Sequence, residues 1–245
     1  MTDAMSLVGV TKTYNDVTAV RDVSLSVARG EALGILGPSG AGKSTMLRLM
    51  DLLESPTEGS VYINQRKMVA ESNAAVAERR RMGMILQKPV VLNRSVTNNL
   101  AYALMIRGAD REAIQGRIEQ ELRRFGLYER RNKNARTLSG GEMQRLCFAR
   151  AMLHEPQMLL LDEFAANLDP ANVAMLEDSI RRFTSEDRQR SVVLVTHNMF
   201  QARRMCDRIA FMWNGELIEV AYKADFFERP SDERTAAFVR GDLVY

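Results

Sequence analysis

The nine residues GPSGAGKST, Gly37 to Thr45, constrain the fold more than any other stretch. They fit G-x-x-x-x-G-K-[ST], in which glycines let consecutive backbone N–H groups curl around phosphate oxygens. Gly37, Gly40 and Gly42 supply that freedom here, and Pro38, Ser39, Ala41 and Thr45 complete the loop. Lys43 is placed to reach the β- and γ-phosphates, and Ser44 offers a hydroxyl to Mg²⁺. A glycine-rich turn capping a helix would also use such residues, but the flanks favour the phosphate loop. EALGILG (31–37) reads as a buried strand. KSTMLRLMDLL (43–53) has helical spacing, with Met46, Leu49, Met50 and Leu53 on one face before Pro56 and Gly59 break it.

The rest of the chain extends this α/β pattern. SLVGVTKTY and VRDVSLSVARG alternate apolar and polar residues like antiparallel strands. SVYIN reads as a strand, 71–82 as a polar helix, and MGMILQ as a short strand ending at Gln87. From Pro89 to about Glu155 the text turns helical, rich in Glu, Arg and Leu, which suggests an inserted helical subdomain. QMLLLDEF and RSVVLVTH are nearly continuous apolar runs, the pattern of central parallel strands covered on both faces. IAFMWNGELIEV carries Asn214–Gly215 between two apolar runs and predicts a type I′ hairpin. The tail from 223 predicts one short helix, DERTAAFVRG, and an extended end. The expected architecture is a P-loop core with a mixed, mainly parallel sheet, an antiparallel β subdomain and an inserted α-helical subdomain. We expect one domain over 1–245, with a core lobe at 1–87 and 156–222, a helical subdomain at 88–155 and a tail at 223–245.

Several polar residues stand where chemistry could occur. MLLLDE ends a buried strand with Asp162 and Glu163, and strand carboxyl ends are where such folds bind ligands. Asp162 suits Mg²⁺ and Glu163 suits a base for water, although paired acids also open turns and helices. His197 ends another apolar run, where a structural histidine is common. LSGGEMQR (138–145) contains Ser139 and Glu142 in capping-box spacing. That explains neither Gly140 nor Gly141, because each glycine in a helix costs about 1 kcal/mol relative to alanine. Bare backbone at a helix N-terminus is what an approaching anion needs.

The order GPSGAGKST, Gln87, LSGGEMQR, LLLDE, NLD, His197 resembles the ATP-binding cassette (ABC) ATPases over about residues 5–220. The resemblance implies ATP and Mg²⁺ as ligands, ATP hydrolysis as the activity, and head-to-tail dimerisation with a second, identical cassette. It implies that Ser139, Gly140 and Gly141 of one subunit meet the γ-phosphate held by Gly37–Thr45 of the other. Tyr14 resembles the aromatic that stacks on adenine, though an ordinary strand tyrosine reads the same way. Gln87 resembles the lid glutamine that joins Mg²⁺ and the attacking water to the helical subdomain. By the same resemblance Glu163 is the catalytic base, Asp169 the interface aspartate and His197 the γ-phosphate switch, with Lys43 completing the catalytic set. One departure is Phe164, where the family usually has proline after the acids. It bears on how the loop to Asp169 is held.

Composition narrows the setting. A net charge of +3 is too small to imply nucleic acid, and the clusters at 79–81, 123–124 and 130–131 are mixed with acids and read as solvated faces. A DNA-repair cassette would need a coiled-coil or zinc insertion. The opening MTDAMSLVGV has no basic region or long apolar run, so no secretory signal is expected. No apolar run approaches the roughly 20 residues of a membrane span. Cys147 and Cys206 lack metal spacing and read as reduced, buried thiols. A cytoplasmic setting fits these features, and the family resemblance implies a peripheral subunit on the cytoplasmic face of the inner membrane, docked on a separate permease that an extracytoplasmic anion-binding protein feeds. The segment QKPVVLNRSVTNNLAYALMIRG (87–108) resembles bacterial oxyanion importers, with QKP common to phosphate and tungstate types. The ending FVRGDLVY resembles the tungstate type, so tungstate is the first candidate and phosphate or molybdate the alternatives. A soluble cassette ATPase of cofactor assembly or cell division is the competing class. With the last residue at 245, the extra C-terminal barrel of several molybdate and sugar cassettes is not expected.

Overall fold

The computed structural model describes residues 3–109 and 111–242, without the side chains of 111–113. Two sheets organise it. The first is antiparallel with order β2-β1-β4-β5, built from β1 (Asp3–Tyr14), β2 (Val17–Ala28), β4 (Glu58–Ile63) and β5 (Arg66–Met68). The second has order β10-β9-β3-β8-β7-β6 and contains β3 (Ala32–Leu36), β6 (Met82–Ile85), β7 (Met158–Asp162), β8 (Ser191–Val195), β9 (Arg208–Trp213) and β10 (Glu216–Tyr222). Its strands are parallel except β10, which returns antiparallel to β9.

The apolar runs of the parallel strands are divided between two cores by the period-2 alternation of a strand. Leu159, Leu161, Val192, Leu194, Ile209 and Phe211 face a core shared with the helices inserted between β6 and β7. Leu160, Val193, Val195, Ala210, Met212, Leu33 and Ile35 face the other core, beneath the antiparallel sheet and α1 (Lys43–Met50). Helix α2 (Asn73–Arg79) precedes β6. The insertion holds α3 (Val96–Met105), α4 (Arg111–Arg124) and α5 (Gly140–Met152) with two short 3₁₀ turns. After β7 comes α6 (Pro170–Glu186), and after β8 comes α7 (Met199–Met205).

Three local expectations change. Helix α1 stops at Met50, not Leu53. Leu52 takes a left-handed φ of 54°, and its N–H and that of Leu53 close back on the carbonyls of Leu49 and Arg48. This is a Schellman-type end with leucine where glycine is usual. Leu52 is fully buried there, which offsets the backbone strain, while Leu53 is exposed. Strand β5 was not expected. Its turn, Asn64–Gln65, has both φ values positive like a type I′ turn, but glutamine is a weak signal for one. The tail forms two helices, α8 (Lys223–Glu228) and α9 (Glu233–Arg240), and its expected extended end at 243–245 lies outside the described residues. Phe226 and Phe238 anchor them on Phe211.

Candidate active site

Strand register brings the candidate residues together. Ile35 pairs with Val195, Val195 with Asp162, and Leu161 with Ile85. The carboxyl ends of β3, β8, β7 and β6 are therefore level. Gly37, His197, Glu163 and Gln87 each emerge one or two residues beyond that edge, although up to 160 positions separate them.

The loop after β3 is held by close backbone packing. A Cβ on Gly37 would lie 2.2 Å from the Met212 carbonyl oxygen, and one on Gly42 would lie 2.3 Å from that of Ala19. Both glycines have φ values, 153° and 95°, that side chains rarely adopt. The loop frames a cavity of about 290 Å³ lined by Ser39, Gly40, Gly42, Lys43, Ser44 and Thr45, with Gln87 and Glu163 opposite. Lys43 is buried, and its Nζ donates to the carbonyls of Gly37 at 2.8 Å and Pro38 at 2.7 Å. Burial pushes its ammonium below the ordinary lysine value, and the Glu163 and Asp162 carboxylates oppose that shift. Such a cation gains most from anionic ligands in the same cavity.

The acids at the end of β7 are differently placed. Asp162 accepts a hydrogen bond from Ser44 Oγ at 3.3 Å. Burial raises its carboxyl, the Ser44 bond opposes this, and neighbouring Glu163 adds to it. Glu163 adopts a left-handed φ of 43° and donates its N–H to the Val195 carbonyl. Its Oε2 accepts from Gln87 Nε2 at 2.9 Å, and its Oε1 lies 3.2 Å from His197 Nδ1. The carboxylate thus sits between Gln87 and His197. When Nδ1–H donates to Glu163, Nε2 is the ring nitrogen facing outward, and the His197 side chain is 63% exposed.

The remaining candidates lie apart from this cavity. Ser139 caps α5 in a reciprocal capping box with Glu142. Arg130 lies 3.2 Å from Glu142, and the Ser139 backbone N–H together with that arginine holds the Glu142 carboxyl below its usual range. The box leaves the N–H groups of Gly140 and Gly141 without intrahelical partners. None of these residues lines the cavity around Lys43 within one chain. Asp169 caps α6, accepting from the Asn172 backbone N–H at 2.9 Å and from its side-chain amide. A Cβ on Gly141 would lie 2.7 Å from Asn172 Nδ2, whereas one on Gly140 would meet nothing. Asn172 therefore joins the two motifs, which spacing did not suggest. Tyr14 is more than one-third exposed; its hydroxyl donates to Glu54, and the Lys12 ammonium lies 5.1 Å from its ring. Phe164 is buried, edge-on to Phe148 of α5 at 5.4 Å.

Residues 20–166 match the protein family described as ABC transporter. The chain belongs to this family. It is 37% identical over 251 residues to the phosphate import ATP-binding protein PstB 2 of Natronomonas pharaonis, covering 98% of this chain and 88% of that protein. It is 38% identical over 246 residues to a probable anion import ATP-binding protein of Haloferax volcanii, covering 95% and 85%. Identity to the methionine import ATP-binding protein MetN 4 of Oceanobacillus iheyensis is 39% over 241 residues, covering 96% and 70%. Among solved structures, the dimeric, post-hydrolysis ATP-binding cassette MJ0796 bound to ADP and Pi aligns with a TM-score of 0.82 at 31% identity, covering 89% of this chain and 98% of that one. Clostridium perfringens cbiO1 aligns with a TM-score of 0.83 at 22% identity, covering 97% and 95%, and shares the fold. This ABC cassette binds ATP and is an ATPase.

Gln144, inside LSGGEMQR, is the principal residue whose place the sequence does not announce. It is buried, and its amide reaches both the Leu86 and Phe164 carbonyls. Glu54, which meets Tyr14, Lys12 and Arg48, is another. Neither lies in a spacing that announces its contacts.

Proposed function

We propose that this cassette is the ATP-hydrolysing subunit of an anion importer, acting as two copies closed head to tail on ATP at the cytoplasmic face of a separate membrane permease. The observation that carries the chemistry is the single cavity in which Lys43 and Ser44 face Gln87 and Glu163. In this reading the N–H groups of Gly37–Thr45 and the Lys43 ammonium bind the β- and γ-phosphates. Ser44, Asp162 and Gln87 hold Mg²⁺. The donors fit a hard cation, since all three offer oxygen. Among the described residues no group of three or more His, Cys, Asp or Glu side chains is placed to hold a metal ion by itself. That fits an ion bound by few carboxylates together with phosphate oxygens. When bound, Mg²⁺ neutralises charge on the transferring phosphoryl oxygens. Gln87 donates to Glu163 through Nε2, which leaves its Oε1 for the cation. Glu163 orients the attacking water and accepts its proton, and His197 Nε2 faces the γ-phosphate. Ser139, Gly140 and Gly141 act on the other copy's nucleotide, Asp169 lies at the dimer interface, and Tyr14 stacks on adenine.

The importer reading draws on the relatives and on a groove between β6 and the inserted helices. Among the described residues no helix is long and apolar enough to cross a membrane. The groove, about 210 Å³, is lined by Leu92, Tyr102, Ile106, Arg107, Arg150 and His154 among others. Val90 is 56% exposed beside it, and its carbonyl accepts from Arg150. We propose this as the seat of a permease helix, with Val91 and Leu92 as its partly buried floor. An extracytoplasmic binding protein would deliver the anion to the permease. Tungstate is the first candidate, on the resemblance of segments 87–108 and 238–245. Phosphate is the second reading, favoured by the match to a phosphate import protein across nearly the whole chain.

The test is reconstitution with the permease and binding protein, measuring ATPase stimulation by tungstate, molybdate, sulfate and phosphate. Stimulation by tungstate supports the first reading and stimulation by phosphate alone the second. Failure to associate with any permease would move the chain to the soluble class.

A further inference from the structure

The side chain of Gln144 lies between the two segments that carry the polar residues around the attacking water. Its Nε2 is 3.0 Å from the carbonyl oxygen of Phe164, next to Glu163, and 3.4 Å from that of Leu86, next to Gln87. Both partners are carbonyls and only accept, so the NH₂ side of the amide must face them. The outer ends of the same segments are joined by the Gln87–Glu163 hydrogen bond at 2.9 Å. These contacts close a ring from Gln144 to Leu86, Gln87, Glu163, Phe164 and back. Gln144 is 2% exposed, and its Oε1 has no hydrogen-bond partner. A leucine or methionine would fill the space without leaving such an atom. Neither would supply the two donors that reach the Leu86 and Phe164 carbonyls.

We infer that Gln144 is a positioning residue for hydrolysis: one amide sets the spacing between Gln87 and Glu163 and ties it to helix α5. This rests on the reading of Glu163 as the base. Glu163 follows the last paired residue of β7 in a left-handed conformation, and Gln87 is two residues past β6. Strand pairing therefore fixes where both backbones leave the sheet, while the Gln144 contacts fix how they turn beyond it. Ser139, five residues earlier, caps the same helix, so a displacement at Ser139–Gly141 would reach the Gln87–Glu163 pair through about a turn and a half of helix.

The test uses the full-length cassette with Mg-ATP. Gln144→Met keeps the volume and removes both donors; Gln144→Asn keeps the amide but withdraws it by one methylene. kcat should fall in the order wild type, Asn, Met, with Met at least about tenfold down, as expected for a misplaced reacting group. KM should stay within about twofold, because Gln144 touches no phosphate-loop residue. Gln144→Glu adds a readout that packing alone would not move. Its protonated form can donate one hydrogen bond and its ionised form none, so the ratio of its kcat to that of wild type should rise as pH falls. A lowered melting temperature with kcat unchanged and a flat pH ratio would overturn the inference. If Gln144→Met does not fold, the Asn and Glu variants decide. Glu163→Gln is measured alongside. Normal turnover there overturns the base assignment, whereas a stalled Glu163→Gln with normal Gln144 variants overturns the role of Gln144 alone.

Discussion

Replacing Phe164 by alanine should destabilise the cassette heavily, although the family usually has proline there. The ring is 1% exposed and lies edge-on to Phe148, which in turn lies 6.5 Å from Phe125. All three belong to the core that joins the inserted helices to the parallel sheet. An aromatic side chain buries about 150–250 Å². At about 25 cal/mol per Å² that is at most about 4–6 kcal/mol, and measured Phe→Ala losses run about 3–5 kcal/mol. For a chain of this size each kcal/mol moves Tm by about 2–4 °C, so Tm should fall by roughly 6–20 °C. Phe164→Leu should lose only about 1–1.5 kcal/mol, because most of the volume remains. Phe164→Pro should resemble alanine, since it empties the same space. Thermal melts of the three variants at one pH and nucleotide concentration provide the assay. An alanine variant melting within about 2 °C of wild type, or a proline variant as stable as wild type, would refute the reasoning.

Other outcomes follow from the same geometry. Lys43→Ala should abolish ATPase activity and weaken ATP binding, and normal turnover in the purified variant would contradict its assignment. Glu163→Gln should bind Mg-ATP, hydrolyse it at least about 100-fold more slowly and elute as a dimer in gel filtration with ATP; a purely monomeric, slow variant would argue against the closed pair. Gly140→Ala should leave stability unchanged or raise it by up to about 1 kcal/mol, while Gly141→Ala should lower it because the new Cβ meets Asn172. Equal melting temperatures for the two would dismiss that contact. Burial pushes the Asp51 carboxyl up to about 7 from 3.8, so the folded state keeps a proton that the unfolded chain releases between those values. Its contribution to stability is full below 3.8 and is lost as pH rises through about 7, so the stability of Asp51→Asn relative to wild type should increase from pH 5 to pH 8; a constant difference in denaturant melts would contradict this.

The parts of this molecule legible in its sequence are those where a local pattern has one physical solution. The phosphate loop is set by glycines between a buried strand and a helix. The central strands show themselves because both faces are covered, and the Asn214–Gly215 turn because both φ values are positive. Gln87, Glu163 and His197 could be placed at strand ends, but their meeting depends on the strand order β3-β8-β7-β6, which no spacing contains. The resemblance to a family implied their roles without that order. The end of α1 is not legible because Leu52 accepts a conformation usually left to glycine, offset by its own burial. Gln144 was overlooked because a polar residue one turn into an amphipathic helix looks solvated until the two carbonyls it reaches are known.

Glu163 shows how these levels combine. A non-glycine residue with φ near 43° costs roughly 1–2 kcal/mol, and such strain persists only where the surroundings over-determine it. Four contacts do so here. The Glu163 N–H is taken by Val195 on one side, and its carbonyl accepts from Ala166 on the other. Its carboxylate is held between Gln87 and His197. Phe164 then drives a ring into the helical core while its carbonyl is held by Gln144. Proline at 164 would stiffen the backbone after Glu163 through its own ring. Phenylalanine has no such stiffness and reaches the same end through burial. The strained backbone at Glu163 is therefore anchored to α5, the helix capped by Ser139, by packing as well as by hydrogen bonding.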